Sequence, residues 1–168
     1  TVHRHFQAFA LSLLDKLTIW TRQIQLKDVA FTHDPRLLKQ LENGEGAVLL
    51  GSHVGNLEVC RSLAVLNDKL KLNILVHTSN ASKFNRLLEE LNQHRHLELI
   101  EITTVTPATA ILLKTKVARG EVLVIVGDRI PVAGTERTVE MKFLGRPARF
   151  PQGPFILAGL LNCPIYTL

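Results

Sequence analysis

Residues 122–126 read Val-Leu-Val-Ile-Val, a run that offers no polar position to water. β-Branched side chains favour the pleated backbone, and a strand apolar on both faces must be covered on both. The run is therefore expected as a central strand of a parallel sheet, bounded by Gly120 before it and Gly127-Asp128 after it. A shorter apolar run stands at Ala47–Leu50, and Leu72–His77 and Leu97–Ile102 read as further strands. Helical patterns fall between them, at 57–66, at 82–93 with Phe84, Leu87, Leu88 and Leu91 inward, and at Pro107–Arg119. The apolar side of this last helix is expected to be Ala110, Ile111, Leu113 or Leu112, and Val117. Alternation of this kind predicts a layered α/β domain with a mostly parallel central sheet flanked by helices. A chain of 168 residues suits one such domain over 1–168. The chain opens directly in a helical pattern and stops at Pro164–Leu168 inside an apparent strand, so a piece of a longer protein, truncated at both ends, is expected.

The flanking stretches are legible by the same rules. Phe6, Phe9, Ala10, Leu13, Leu14, Leu17 and Trp20 form a stripe at helical spacing within residues 2–23, expected in the core, with an interfacial helix as the alternative. Ile24–Thr32 reads as an edge strand. Asp34-Pro35 reads as an N-cap and first helical residue, opening a helix that runs to about Asn43 before Gly44 and Gly46. Thr138–Leu144 alternates as a half-solvated strand does, and Phe155–Leu161 is a short apolar helix after Pro151, Gly153 and Pro154. No apolar run reaches the ~20 residues that span a bilayer.

Composition narrows the partners. The net charge of +5 admits anionic lipid, an acidic carrier protein or nucleic acid. Nucleic acid ranks last, because the basic residues are scattered and seldom interleaved with aromatics. Cys60 and Cys163 lie in apolar contexts and are expected as reduced core residues. No His/Cys clustering supports a metal site.

Chemistry concentrates at Gly51-Ser52-His53-Val54-Gly55-Asn56-Leu57-Glu58. A turn there places an imidazole at the carboxyl end of a strand, the edge of an α/β sheet where ligands bind. Glu58 lies within the first turns of the helix that follows. If the turn folds back, its carboxylate reaches one ring nitrogen of His53 and leaves the other as a general base. A plain helix-start contact is the simpler account of the same spacing. Asp128 and Arg129 end the central strand at the same edge, either as a local ion pair or with Arg129 holding a phosphate. Arg137, Arg146 and Arg149 are further phosphate candidates.

His53-Val54-Gly55-Asn56-Leu57-Glu58 resembles the His-x4-Asp/Glu box of the glycerolipid and lipid A acyltransferases, in the form closest to the lipid A (lauroyl/myristoyl) branch. Val126-Gly127-Asp128-Arg129 resembles that branch's strand-end Asp motif. Phe143-Leu144-Gly145, then Phe150-Pro151-Gln152-Gly153-Pro154 and Leu157-Ala158, resembles its later segment. The resemblance covers about residues 45–168. It implies transfer of a fatty acyl group from an acyl carrier protein or CoA thioester, with no other cofactor, to a lipid or glycolipid at the cytoplasmic face of the bacterial inner membrane. His53 and Glu58 take the catalytic places, and Asn56, Asp128, Arg129, Phe150 and Gly153 the substrate-binding ones. Where that branch tends to carry an arginine late in the helix after the box, this chain has Asn92, with Arg86 or Arg95 as substitutes. A lysophospholipid, another glycolipid or an amino-acid lipid therefore stays open as acceptor.

Two other readings belong to different classes. A lipid hydrolase is conceivable because residues 51–55 have the outline of a G-x-S-x-G elbow, but His53 occupies the nucleophile's slot and Ser52 is one place off. A non-catalytic lipid- or protein-binding module of the same fold is the other.

Overall fold

The structure, a computed structural model, describes residues 2–21, 23, 34–54, 70–76, 97–101, 106–130 and 137–168. Within them the order is α1 (Val2–Trp20), α2 (Pro35–Glu42), β1 (Ala47–Gly51), β2 (Leu72–Val76), β3 (Leu97–Glu101), α3 (Pro107–Ala118), β4 (Val122–Val126), β5 (Thr138–Phe143), β6 (Arg146–Pro151), α4 (Gly153–Leu161) and β7 (Ile165–Thr167). The strand at Ile24–Thr32 and the helix at 82–93 expected from the sequence lie outside the described residues.

Five strands form one sheet in the order β3-β2-β4-β1-β7, and every described pairing in it is parallel. The all-apolar run at 122–126 is its middle strand. Residues 122–125 are buried there, as a strand without a polar face requires. Side chains alternate across the sheet. Val48, Leu123, Ile125 and Ile100 face Leu113 and Val117 of α3 and Leu157, Ala158 and Leu161 of α4. Leu72, Val122 and Val124 face the other way, with Leu41 of α2 packed against them. The result is helix, sheet, helix: the layered α/β fold the alternation predicts.

Local chemistry explains the helix boundaries. The Asp34 carboxylate caps α2 by accepting the Arg36 amide at 2.9 Å, with Pro35 following it. The Thr106 hydroxyl accepts the Thr109 amide at the start of α3. Only one stripe of α3 is inward: Leu113 and Val117 are buried and Ala110 half-buried. Ile111 and Leu112, included in the expected apolar side, face outward because they lie off the 110/113/117 line. The turns after α2 and α3 meet. A Cβ on Gly46 would overlap the Val117 carbonyl oxygen, and one on Gly120, at φ +80°, the Gly44 carbonyl oxygen.

The buried polar side chains among the described residues are Gln40, Asn73 and Glu121. The amide of Asn73, near the start of β2, donates to Glu121 Oε2 at 2.9 Å, and the Lys116 ammonium bridges Glu121 at 3.5 Å and Glu98 at 2.7 Å. Gln40 donates to the Gly46 carbonyl and accepts from the Tyr166 hydroxyl at 2.7 Å. Each of these three side chains thus has at least one hydrogen-bond or ion-pair partner, as burial of a polar group requires.

Two expectations change. The described side chains of the α1 stripe are not in the core: Phe6, Phe9, Leu13, Leu14 and Leu17 are exposed, and among the described residues no α1 side chain belongs to either buried cluster. Helical periodicity marks an apolar face without saying what covers it. β5 alternates as expected, yet residues of both its faces are exposed; among the described residues it pairs antiparallel with β6 in a two-stranded sheet separate from the five-stranded one. The two strands meet in a two-residue turn, Leu144-Gly145, with φ of 51° and 82°. Positive φ at both central residues suits the twist of a hairpin.

Candidate functional site

β1 and β4 are neighbours in parallel register, Gly51 opposite Val126. In the sheet order, β2 lies on the far side of β4 and β7 on the far side of β1. The carboxyl ends of the strands are the edge at which open α/β sheets bind ligands. The ladder runs one step past the strands, with the Gly127 amide donating to the Gly51 carbonyl at 2.9 Å. Gly127 is buried, and a Cβ there would stand 2.9 Å from Leu50 Cδ1 and 3.6 Å from Pro154 Cβ, so the start of α4 abuts the end of β4.

Immediately beyond, the Asp128 side chain takes over from the backbone. Its Oδ2 accepts the His53 amide at 2.9 Å, and its Oδ1 lies 2.8 Å from His53 Nδ1. Two residues 75 apart in sequence are thus joined twice. Burial alone would push the Asp128 carboxyl up. The His53 amide, the ring with its charge and Asp128's own amide outweigh that and hold it below the usual carboxylate value. An ionised carboxylate only accepts, so it selects the tautomer with hydrogen on Nδ1 and leaves Nε2 with a free lone pair. Both groups reach solvent, at 40% exposure for the imidazole and 28% for the carboxylate. That is an accessible base held by an anion.

The other sequence-predicted residues distribute unevenly around this pair. Asn56 and Glu58 lie outside the described residues. Arg129 follows Asp128 and is exposed. Phe150 is half-buried near the end of β6 and meets Phe143 edge-on, ring centroids 5.6 Å apart. Gly153 opens α4, with open space where a Cβ would stand. The Gln152 amide donates to the Arg137 carbonyl at 2.9 Å, tying the base of the hairpin to the start of that helix. Sequence reading placed Asp128 at the right edge but not on His53. The signal available was the shared position, two residues past the ends of two strands. Among the described residues no group of three or more His, Cys, Asp or Glu is placed to hold a metal ion. Cys163 is a free thiol whose pKa burial pushes up.

The fold is that of a parallel α/β layer with a histidine–carboxylate pair beyond its strand ends, an arrangement chemically able to accept a proton. Comparison with protein families goes further: residues 2–168 match the bacterial lipid A biosynthesis acyltransferases, and the chain belongs to that family. A search of curated proteins gave no match. The family makes the protein an acyltransferase of lipid A biosynthesis type. No helix among the described residues is long and apolar enough to cross a membrane.

Proposed function

We propose that the protein transfers a fatty acyl group from an acyl carrier protein or CoA thioester to a hydroxyl or amine of a membrane lipid or glycolipid. It would do so at the cytoplasmic face of the bacterial inner membrane, peripheral to or anchored in it, with no further cofactor. The observation that carries the reading is the double hydrogen bond of Asp128 to His53. It leaves Nε2 of a half-exposed ring as the proton acceptor. In the reaction Nε2 takes the proton of the acceptor hydroxyl as its oxygen attacks the thioester carbonyl. The tetrahedral intermediate collapses, the carbon–sulfur bond breaks, and the imidazolium returns the proton to the departing thiolate. Asp128 holds the ring and stabilises its cationic form. Glu58 is the second carboxylate assigned to His53, on the motif alone.

Arg129, exposed beside Asp128, is the phosphate contact we assign to the acceptor or to the donor's phosphopantetheine. The open space at Gly153 and the half-buried ring of Phe150 are assigned to the acyl chain, which needs close approach to backbone and an apolar wall. The test is His53→Ala in the intact enzyme, with transfer followed from a labelled acyl thioester to lipid. Turnover should fall by ~10²–10⁴-fold, the usual contribution of a positioned base. Wild-type turnover would end the assignment.

A further inference from the structure

The β5–β6 hairpin carries an apolar face with no described cover. The register puts Val139 opposite Phe150 and Met141 opposite Ala148, and at the turn end of the same face Phe143 opposite Arg146. Met141 is 56% exposed, Phe143 54%, and Leu144 at the turn 88%. The other face reads Thr138, Glu140, Lys142, Pro147 and Arg149. Between residues 137 and 151 four basic side chains, Arg137, Lys142, Arg146 and Arg149, stand against the single acid Glu140, and all five are exposed. Within the hairpin itself, residues 138–151, Lys142, Arg146 and Arg149 against Glu140 leave a net charge of +2.

We propose that the β5–β6 hairpin is a membrane-insertion element, its Phe143-Leu144 tip entering an anionic bilayer while Lys142, Arg146 and Arg149 engage lipid headgroups. An apolar tip collared by cations matches the bilayer interface, where hydrocarbon lies beneath a negatively charged surface. The charges alone would also suit an acidic protein; the 88% exposed Leu144 at the turn is what favours hydrocarbon beneath an anionic surface. Six-residue strands reach ~20 Å from their base, enough to cross the headgroup layer. The base is fixed beside the site through the Gln152–Arg137 hydrogen bond and the contact of Pro154 with Gly127. Insertion of the tip would therefore hold the His53–Asp128 edge at the lipid surface. This last consequence rests on the proposed lipid acceptor; the insertion itself does not.

The chain has one tryptophan, Trp20, so Leu144→Trp in a Trp20→Phe background reports from the hairpin alone, whatever α1 does. The full chain is titrated with phosphatidylcholine vesicles with and without 30% phosphatidylglycerol (roughly the charge density of an anionic leaflet), some carrying brominated acyl chains. A blue shift and bromine quenching with the anionic vesicles are expected, weakened by salt. Phe143→Ser in that background should lower vesicle affinity at least ~tenfold, and each of Lys142→Glu, Arg146→Glu and Arg149→Glu more than ~fivefold. The same spectra with His53→Ala added should be unchanged, so insertion is read independently of turnover. An unshifted, unquenched emission in a variant with wild-type melting overturns the proposal. A spectral response to acyl carrier protein but not to vesicles also overturns it, and makes the hairpin a carrier dock.

Discussion

Asp128→Asn probes the pair most directly. The carboxylate accepts two hydrogen bonds from His53, at 2.9 and 2.8 Å. An amide has one carbonyl oxygen on the same stem. If that oxygen keeps the His53 amide, its NH2 faces Nδ1, which must then accept. The hydrogen moves to Nε2, and the base is lost from the side that needs it. If the oxygen keeps Nδ1, the amide of His53 loses its partner and the imidazolium loses its anion. A charge-assisted hydrogen bond contributes ~1.5–3 kcal/mol, and the exposure of both groups argues for the low end, or about tenfold in rate. With the tautomer penalty added, kcat should fall by ~10–10²-fold, less than the ~10²–10⁴-fold expected for His53→Ala. KM should hold, since the carboxylate acts through the ring and not on the substrate. Adding Asp128→Asn to His53→Ala should cost nothing more, because the two act as a unit. Single-turnover transfer from a labelled acyl thioester, run beside Glu58→Gln, reads all of this. Wild-type kcat in Asp128→Asn with an inactive Glu58→Gln would refute the role given to Asp128 and leave the orienting task to Glu58.

Other consequences can be checked on stability and reactivity. Gly46→Ala should lose about 3 kcal/mol in denaturant titration, since the new methyl meets the backbone of α3's last turn and not a movable side chain. Lys116→Met should cost roughly 3 kcal/mol by stranding the buried Glu121 carboxylate. Burial works to lower the Lys116 pKa, but Glu98 and Glu121 prevail and raise it. Its stabilisation is thus full below the unfolded-state value of about 10.4 and fades as pH rises through the folded one, so the wild-type advantage in melting should shrink in strong alkali. The Asp128 carboxyl is shifted down, so its contact with His53 stabilises above about pH 4 and is lost as pH falls through the lower folded value; the melting difference from Asp128→Asn should close there. A fluorophosphonate probe should leave Ser52 unmodified, and labelling of it would revive the hydrolase reading.

Much of the framework was open to inspection in the chain alone. Val122–Val126 has no side to show water, so its central, twice-covered place follows from composition at five positions. Asp34-Pro35 announces its helix because capping is chemistry between near neighbours. His53 stood out because a strand, a glycine turn and an imidazole are adjacent in sequence. Tertiary structure decided what depends on residues far apart. That Asp128 holds His53 follows from β4 inserting beside β1 in register, a pairing that no local spacing encodes. Gly46 and Gly120 are required because two turns from different elements touch. The apolar faces of α1 and β5 are written plainly in their periodicity, but periodicity says only that a face avoids water. Whether core, bilayer or another surface receives it is settled by what stands opposite in space.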